Sequence, residues 1–128
     1  VFGCPGGKAL NRRRELGIIA GLFSDEVILT TDDPGMEDPE GICEEIREDV
    51  DMTGCSCHRG ADRKKAVEQA VALAKEDRKN RTLILLLGRG SERFQQIGGR
   101  SLASSTDAEL MAEALQAYDA SQKLGAVI

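Results

Sequence analysis

The feature that most constrains the fold is the alternation of short apolar runs with longer segments of helical periodicity. The runs "EVILTT" at 26–31 and "TLILLLG" at 82–88 have the composition of buried strands, and Val1 to Cys4 that of the end of another. Between them, apolar residues recur at helical spacing. We therefore predict an α/β fold with a Rossmann-like, mostly parallel sheet flanked by helices.

Four helices are predicted: Arg12 to Phe23, Asp38 to about Val50, Asp62 to about Lys79, and one that begins after Thr106. Asp38 has Pro39 at the first helical position, and Thr106 forms a capping box with Glu109. The predicted inward faces are, in chain order, Leu16, Ile19, Ala20 and Phe23; Ile42, Cys43, Ile46 and Val50; Ala66, Val67, Ala70, Val71 and Ala74; and Leu110, Met111, Ala114, Leu115 and Tyr118.

The remaining strands are predicted from local composition. "TLILLLG" is apolar on both faces, which predicts a central parallel strand. "QQIGGRSL" predicts a short edge strand or hairpin, and "DMTGCSCHRG" a loop, with or without a short strand.

Size and charge limit the class of protein. The 128 residues correspond to one domain, and the net charge of −5 with mixed signs gives no basic face for nucleic acid. No apolar run is long enough to cross a membrane, and the start has neither the charged nor the apolar region of a signal peptide. The 4 cysteines are expected to be reduced thiols of a cytoplasmic protein. The first residue is not Met, and we interpret the chain as part of a longer protein.

Three polar loops are expected along one rim of the sheet. "CPGGKALNRR", "TTDDPGMED" and "GRGSERF" each follow a predicted strand, and ligands of such sheets bind beyond the carboxyl ends of the strands. Asp32 and Asp33 repel each other there unless water or a cationic ligand balances them. The rim is therefore the candidate binding site.

Two other motifs are weak. "GCPGGKA" is not a Walker P-loop, because Gly3 is one residue too close to Gly7 and Lys8, and Ala9 has no hydroxyl for magnesium. "CSCH" offers Cys55, Cys57 and His58, a single cluster without the second pair of ligands that zinc sites need. No metal site is predicted.

Three arginines, Arg12 to Arg14, open the first predicted helix. The amino end of a helix is unfavourable for cations. At least one of the three is therefore expected to have an anionic partner.

Four blocks in order resemble the C-terminal domain of the Mur ligases, most of all the UDP-N-acetylmuramoyl-tripeptide synthetases. They are "VFGCPGGK" with the "RR" pair, "VILTTDDPGMEDPEGI", "DRKKAVEQAVALA" and "LLLGRGSERFQQIGG", against the family's VFGCGGDRD with KR, DNPR-x-EDP, DR-x-x-AI and GKGHE-x-YQ. The resemblance covers the chain to about Leu115. The resemblance implies that residues 1–128 are the C-terminal, amino-acid-binding domain of a longer three-domain enzyme. In such an enzyme ATP activates a peptide carboxylate, and the amine of an amino acid then attacks the activated group.

The resemblance also implies site residues. Lys8 stands where the family has an arginine that contacts a substrate carboxylate, Asp32 matches the aspartate of DNPR, and Gly88 and Glu92 match GKGHE. Asp33 and Gly35 replace its asparagine and arginine. Arg13 matches the arginine of KR, which implies a place near the ATP phosphates. Arg89 and Ser91 replace the lysine and histidine of GKGHE.

Gly35 is the informative departure from the family pattern. The resemblance implies that, in family members that add meso-diaminopimelate, the DNPR arginine binds the distal carboxylate of that amino acid. Glycine has no side chain that could form such a bidentate pair. Asp32, Asp33 and Glu92 are then three carboxylates without a compensating arginine, which predicts L-lysine as the incoming amino acid. meso-Diaminopimelate is the alternative, with Lys8 as its carboxylate partner.

The resemblance places the other parts of the enzyme outside this chain. The implied partners are UDP-MurNAc-L-Ala-D-Glu and the N-terminal and central domains in cis; the P-loop for ATP and Mg²⁺ belongs to the central domain, and no catalytic residue to this chain. A strand and helix that precede VFGC in the family are missing, so the fragment alone is expected to be inactive and to associate through an exposed sheet edge.

Three other functions remain as alternatives for this sequence. They are a folylpolyglutamate synthetase-like ligase, a non-catalytic nucleotide- or amino-acid-binding module, and a zinc or redox module.

Overall fold

The structure, a computed structural model, describes residues 1–127. Its elements, in chain order, are α1 (Leu10–Phe23), β1 (Glu26–Leu29), α2 (Pro39–Asp51), β2 (Ser56–Arg59), α3 (Arg63–Glu76), β3 (Phe94–Ile97), β4 (Arg100–Ala103) and α4 (Asp107–Val127). Helices and parallel strands alternate, which confirms the predicted α/β class. No helix in this part of the chain is long and apolar enough to cross a membrane.

The sheet is parallel and has β1 at its centre. β1 pairs with β2 over four residues, from Glu26 opposite Ser56 to Leu29 opposite Arg59. On its other side Phe2 forms a parallel bridge to Leu29. The backbone of Val1 in turn binds the 85–87 segment, through Val1 N to Leu85 O (2.8 Å) and Leu87 N to Val1 O (3.0 Å).

Helices cover both faces of this sheet. Val27 and Leu29 face α1 and α2, where they join a core that contains Ile46 and Val50. Ile28, on the alternate face, packs with Ala66 and Ala70 of α3. This alternation places β1 between two layers, so that Val27, Ile28 and Leu29 are all buried and only Glu26 is exposed.

The "TLILLLG" prediction is wrong in detail. The segment is extended, but it forms no regular ladder and lies at the edge of the sheet. Ile84 and Leu86 pack inward, whereas Leu83, Leu85 and Leu87 are half or more exposed. No element within residues 1–127 covers their face, so an apolar sequence pattern on both sides did not produce burial on both sides.

The predicted inward face of α1 is also partly wrong. Ile19 and Phe23 are exposed, and Leu16 and Ala20 are only partly buried. The helix instead turns its small residues inward. A Cβ on Gly17 would lie 3.0 Å from Ile46 O, so α1 can approach α2 this closely only without a side chain there.

The other helices follow their local signals. Asp38 caps α2 through Glu40 N, and Asp62 caps α3 through Lys65 N. α3 ends at Glu76, three residues before the predicted Lys79. Thr106 and Glu109 form the predicted capping box of α4. In that helix Leu110 and Ala114 are buried as predicted, whereas Leu115 is exposed.

The predicted hairpin is present. β3 and β4 pair antiparallel, with Ile97 opposite Arg100. Gly98 and Gly99 form the turn with φ of 58° and 75°, the left-handed conformation that two-residue hairpin turns require. Gly35 N donates to Gln96 O (2.9 Å), and Gly98 N donates to Gly35 O (2.7 Å). The hairpin is therefore fixed to the loop that follows β1.

Candidate functional site

The three predicted rim loops meet beyond the carboxyl end of β1. They enclose a pocket of about 310 Å³ that is lined, among others, by Lys8, Arg12, Asp32, Asp33 and Gly88. Backbone contacts hold the loops together, since Gly6 N donates to Asp33 O at 2.8 Å. The pocket carries cations on the α1 side and carboxylates on the β1 side, which suits a ligand with groups of both signs.

Asp32 is the free acid of this pocket. Within residues 1–127 no hydrogen-bond donor or cation binds its carboxylate; only its backbone oxygen accepts a bond, from Gln95 Nε2 at 2.8 Å. Burial raises the pKa of the Asp32 carboxyl above its ordinary value and the neighbouring Asp33 charge adds to this, while Arg63 and Arg89 oppose it. The backbone at Gly88 closes over it, where a Cβ would lie 2.6 Å from Asp32 Oδ2.

Asp33 and Glu92 are both paired with one buried arginine. Arg89 Nη1 donates to Asp33 Oδ1 at 2.7 Å and to Glu92 Oε2 at 2.9 Å. The expectation of three carboxylates without a compensating arginine is therefore wrong. From the sequence, Arg89 was interpreted only as the replacement of a lysine. Its spacing of three residues from Glu92 suits pairing across a turn, and Glu92 N does donate to Arg89 O at 2.9 Å.

The family assignment follows from the sequence around these loops. Residues 1–90 match the family described as "Mur ligase, glutamate ligase domain". They include β1, the loop with Asp32 and Asp33, and Arg89.

The chain belongs to the Mur ligase family.

Relatives of this Mur ligase domain carry two kinds of name. A "UDP-N-acetylmuramyl-tripeptide synthetase" of Lactobacillus acidophilus is 40% identical over 77% of this chain and 18% of its own length. One of Lactobacillus delbrueckii subsp. bulgaricus is 34% identical over 91% and 22%. A "UDP-N-acetylmuramoyl-L-alanyl-D-glutamate--2,6-diaminopimelate ligase" of Clostridioides difficile is 36% identical over 77% and 19%. The chain thus spans about a fifth of the length of these relatives.

Arg13 lies outside the pocket of this Mur ligase domain. Its buried guanidinium donates to Glu45 Oε2 at 2.7 Å, to Glu37 and to Pro5 O. At least one of the three arginines at the start of α1 was expected to have an anionic partner. Glu37 and Glu45 are such partners for Arg13, and both belong to this chain. The placement of Arg13 near ATP phosphates stays a prediction.

The glycine loop is used for packing. Gly7 N donates to Glu37 Oε1 at 3.1 Å, and Gly6 N is bound to Asp33 O. These donors are not free to cradle a phosphate. No group of three His, Cys, Asp or Glu side chains in residues 1–127 could hold a metal ion.

Gly35 and Glu92 are not part of the pocket wall. Gly35 has a φ of +60° and pairs with the hairpin, and a Cβ there would meet no atom within 4 Å. Glu92 is connected to the pocket through Arg89 and Asp33. Of the six predicted amino-acid contacts, the pocket therefore brings together Lys8, Asp32, Asp33 and Gly88, and it adds Arg12.

The side chains of the CSCH motif do not come together in the structure. Cys55 and Cys57 pack against the α1–α2 core, and His58 Nε2 is paired with Glu26 Oε2 at 2.9 Å. Neighbouring residues of a strand point to opposite faces, so Cys57 and His58 diverge. All four cysteines are free, and burial raises the pKa of Cys57 to about 11, which is the behaviour of a packed thiol.

Proposed function

We propose that this chain is the amino-acid-binding domain of an ATP-dependent ligase that adds L-lysine to UDP-MurNAc-L-Ala-D-Glu in cytoplasmic peptidoglycan precursor synthesis. The observation that carries the proposal is the unpaired Asp32 carboxylate in one pocket with Lys8 and Arg12. None of these three side chains has an ion-pair partner within residues 1–127.

The pocket can hold lysine by its two ends. The positive charges of Lys8 and Arg12 attract the α-carboxylate of lysine, and the carboxylate of Asp32 accepts hydrogen bonds from its side-chain ammonium group. An amino acid held in this way keeps its α-amine for the attack on the activated peptide carboxylate. Fixing the amine in this position lowers the entropic part of the barrier.

The same arrangement disfavours a second carboxylate at the distal end. In meso-diaminopimelate that group would approach Asp32, and Gly35 has no side chain to bind it. Arg89 carries a positive charge near Asp32, but its guanidinium is buried and bound to Asp33, Glu92, Phe94 O and Ser104 Oγ. A free guanidinium is what recognises a carboxylate with two parallel bonds.

The rest of the reaction is assigned to other parts of the protein. ATP and Mg²⁺ are proposed to bind a central domain in cis that carries the P-loop, and the UDP-linked peptide to bind between the domains. Within this scheme the chain supplies the incoming amino acid and closes over the ATP site. It is not expected to catalyse peptide synthesis by itself.

The test uses the full-length protein that contains this chain. ADP release is followed with ATP, Mg²⁺, UDP-MurNAc-L-Ala-D-Glu and either L-lysine or meso-diaminopimelate. Turnover with lysine alone is expected. Turnover with diaminopimelate alone would overturn the choice of lysine and make Lys8 its carboxylate partner. No turnover with either would overturn the proposed addition of these amino acids to UDP-MurNAc-L-Ala-D-Glu.

Paired variants test the site itself. Asp32→Asn is expected to raise KM for lysine by at least tenfold, because the ammonium loses its charged acceptor. Asp25→Asn is the matched control, since Asp25 is an exposed acid just before the opposite end of β1. Equal kinetic effects of the two variants would rule out Asp32 as the ammonium acceptor.

A further inference from the structure

Arg89 is the most enclosed charge next to the pocket. Its side chain is only 2% exposed, against 31% for Asp33 and 56% for Glu92. Nη1 bridges the two carboxylates, and Nη2 donates to Phe94 O at 2.6 Å and to Ser104 Oγ at 3.0 Å. Every terminal nitrogen is thus engaged with the protein, so Arg89 is not placed to contact a ligand.

Arg89 binds only one of the two adjacent aspartates. Asp33 Oδ1 accepts a hydrogen bond from Arg89 Nη1 and another from the backbone N–H of Gln96, at 3.1 Å. The carboxylate of Asp32, its neighbour in sequence, accepts neither of these bonds. The loop is thereby held with one aspartate turned to the arginine and the hairpin, and the other left in the pocket.

We propose that Arg89 is a positioning residue that neutralises Asp33 and so leaves Asp32 as the single carboxylate that receives the ammonium group of the incoming amino acid. This inference rests on the proposed function and deepens it. Without Arg89, two unbalanced carboxylates would stand side by side and share the proton or the ammonium.

The pH dependence of lysine binding should depend on Arg89. The charged groups that act on Asp32 are Asp33 and Glu92, which raise its pKa, and Arg63 and Arg89, which lower it. Lys8 and Arg12 share its pocket, and Cys4 lines it. Because Asp32 must be ionised to bind an ammonium group, its pKa sets the acid limb of kcat/KM for lysine. Removal of Arg89 should move that limb to higher pH.

The experiment measures kcat/KM for lysine against pH in the full-length enzyme. Arg89→Gln is expected to shift the acid limb upward by about one pH unit, the effect of losing a nearby opposite charge. Arg89→Lys keeps the charge and should keep the limb near that of the parent enzyme. Asp33→Asn combined with Arg89→Gln should bring the limb back, because the acid that Arg89 balances is gone.

A purely structural Arg89 would behave differently. Its loss would lower Tm and alter kcat/KM alike at all pH values, and Asp33→Asn would not restore the parent profile. An unshifted acid limb in Arg89→Gln, or no reversal in the double variant, would overturn the proposal while the parent enzyme still turned over lysine. A parent enzyme inactive with lysine would instead overturn the proposed function, and this inference with it.

A second variant covers the case in which Arg89→Gln does not fold. Asp33→Asn alone removes the like charge beside Asp32 and leaves Arg89 in place. Its acid limb should move to lower pH than that of the parent enzyme. A limb that stays in place or moves upward would overturn the proposal.

Discussion

Arg63 and Asp107 form a buried, two-pronged ion pair. Arg63 Nε lies 2.8 Å from Asp107 Oδ1, and Nη2 lies 2.9 Å from Oδ2. The same guanidinium donates to Thr31 O and Leu87 O, and Asp107 accepts a bond from Gly90 N. The pair thus joins the starts of α3 and α4 to two of the loops that form the pocket.

Breaking this pair should be costly. Arg63→Met leaves Asp107 buried without its cation, and we expect a loss of about 3–5 kcal/mol in the free energy of unfolding. Urea denaturation measures it. The control is Lys64→Met, whose exposed pair with Glu113 spans 3.8 Å and is expected to contribute less than about 1 kcal/mol. Similar losses in both variants would contradict the importance of burial.

Gly88 should be required for the pocket. In Gly88→Ala the new Cβ would lie 2.6 Å from Asp32 Oδ2, at a φ of +100°. The clash should displace the Asp32 carboxylate and raise KM for lysine at least tenfold, measured by ADP release in the full-length enzyme.

Gly90→Ala separates that clash from backbone strain. Gly90 also has a positive φ, +51°, but a Cβ there would meet no atom within 4 Å. Both variants should lose stability by about 1–2 kcal/mol from the left-handed conformation. Only Gly88→Ala should lose affinity for lysine, and a parallel loss in Gly90→Ala would contradict the role given to Asp32.

Asp32 should destabilise the domain at neutral pH. Its raised pKa means that the folded state holds the proton more tightly than the unfolded state, so the stability of the fold falls as pH rises through the folded pKa. Asp32→Asn should therefore raise Tm at pH 7. The gain should shrink as pH is lowered to the range where the aspartate is protonated. A gain that is constant with pH would contradict an ionisation effect, and exposed Asp25→Asn should leave Tm nearly unchanged.

The contribution of the α4 capping box to the free energy of unfolding should be measurable by itself. Thr106→Ala removes the acceptor that binds Glu109 N at 3.2 Å, and we expect a loss of about 1 kcal/mol in unfolding free energy. Ser105→Ala is the control, because Ser105 is exposed and has no side-chain hydrogen bond within residues 1–127. Chemical denaturation of both variants checks the difference; equal values would show that the cap contributes nothing.

Much of the fold could be predicted because its signals are local. A cap such as Asp38 or Thr106 binds a backbone group two or three residues away, so the sequence contains both partners. The hairpin turn follows from Gly98 and Gly99 in the same way. The meeting of three loops at one rim followed from a general property of parallel sheets.

Burial of individual faces was harder to predict. The periodicity of α1 indicated Ile19 and Phe23 as inward residues, but the helix packs through Gly17 against α2 and through Gly21 against Thr53, which follows α2. The apolar character of 82–88 indicated a central strand, but its neighbours on the sheet decide whether it is central. Periodicity shows which residues share a face, and only the packed structure shows what that face meets.

The sequence by itself determined the α/β alternation, the helix starts and the position of Asp32 at the rim, because these depend on residues within a few positions of one another. The tertiary structure decided which charges pair. Arg89 and Asp33 are 56 positions apart, and Arg13 and Glu45 are 32 apart. An ion pair forms between whichever charges folding brings within a few ångströms. For that reason the sequence could supply the three carboxylates, but only the folded chain could show that Arg89 pairs with two of them and leaves Asp32 free.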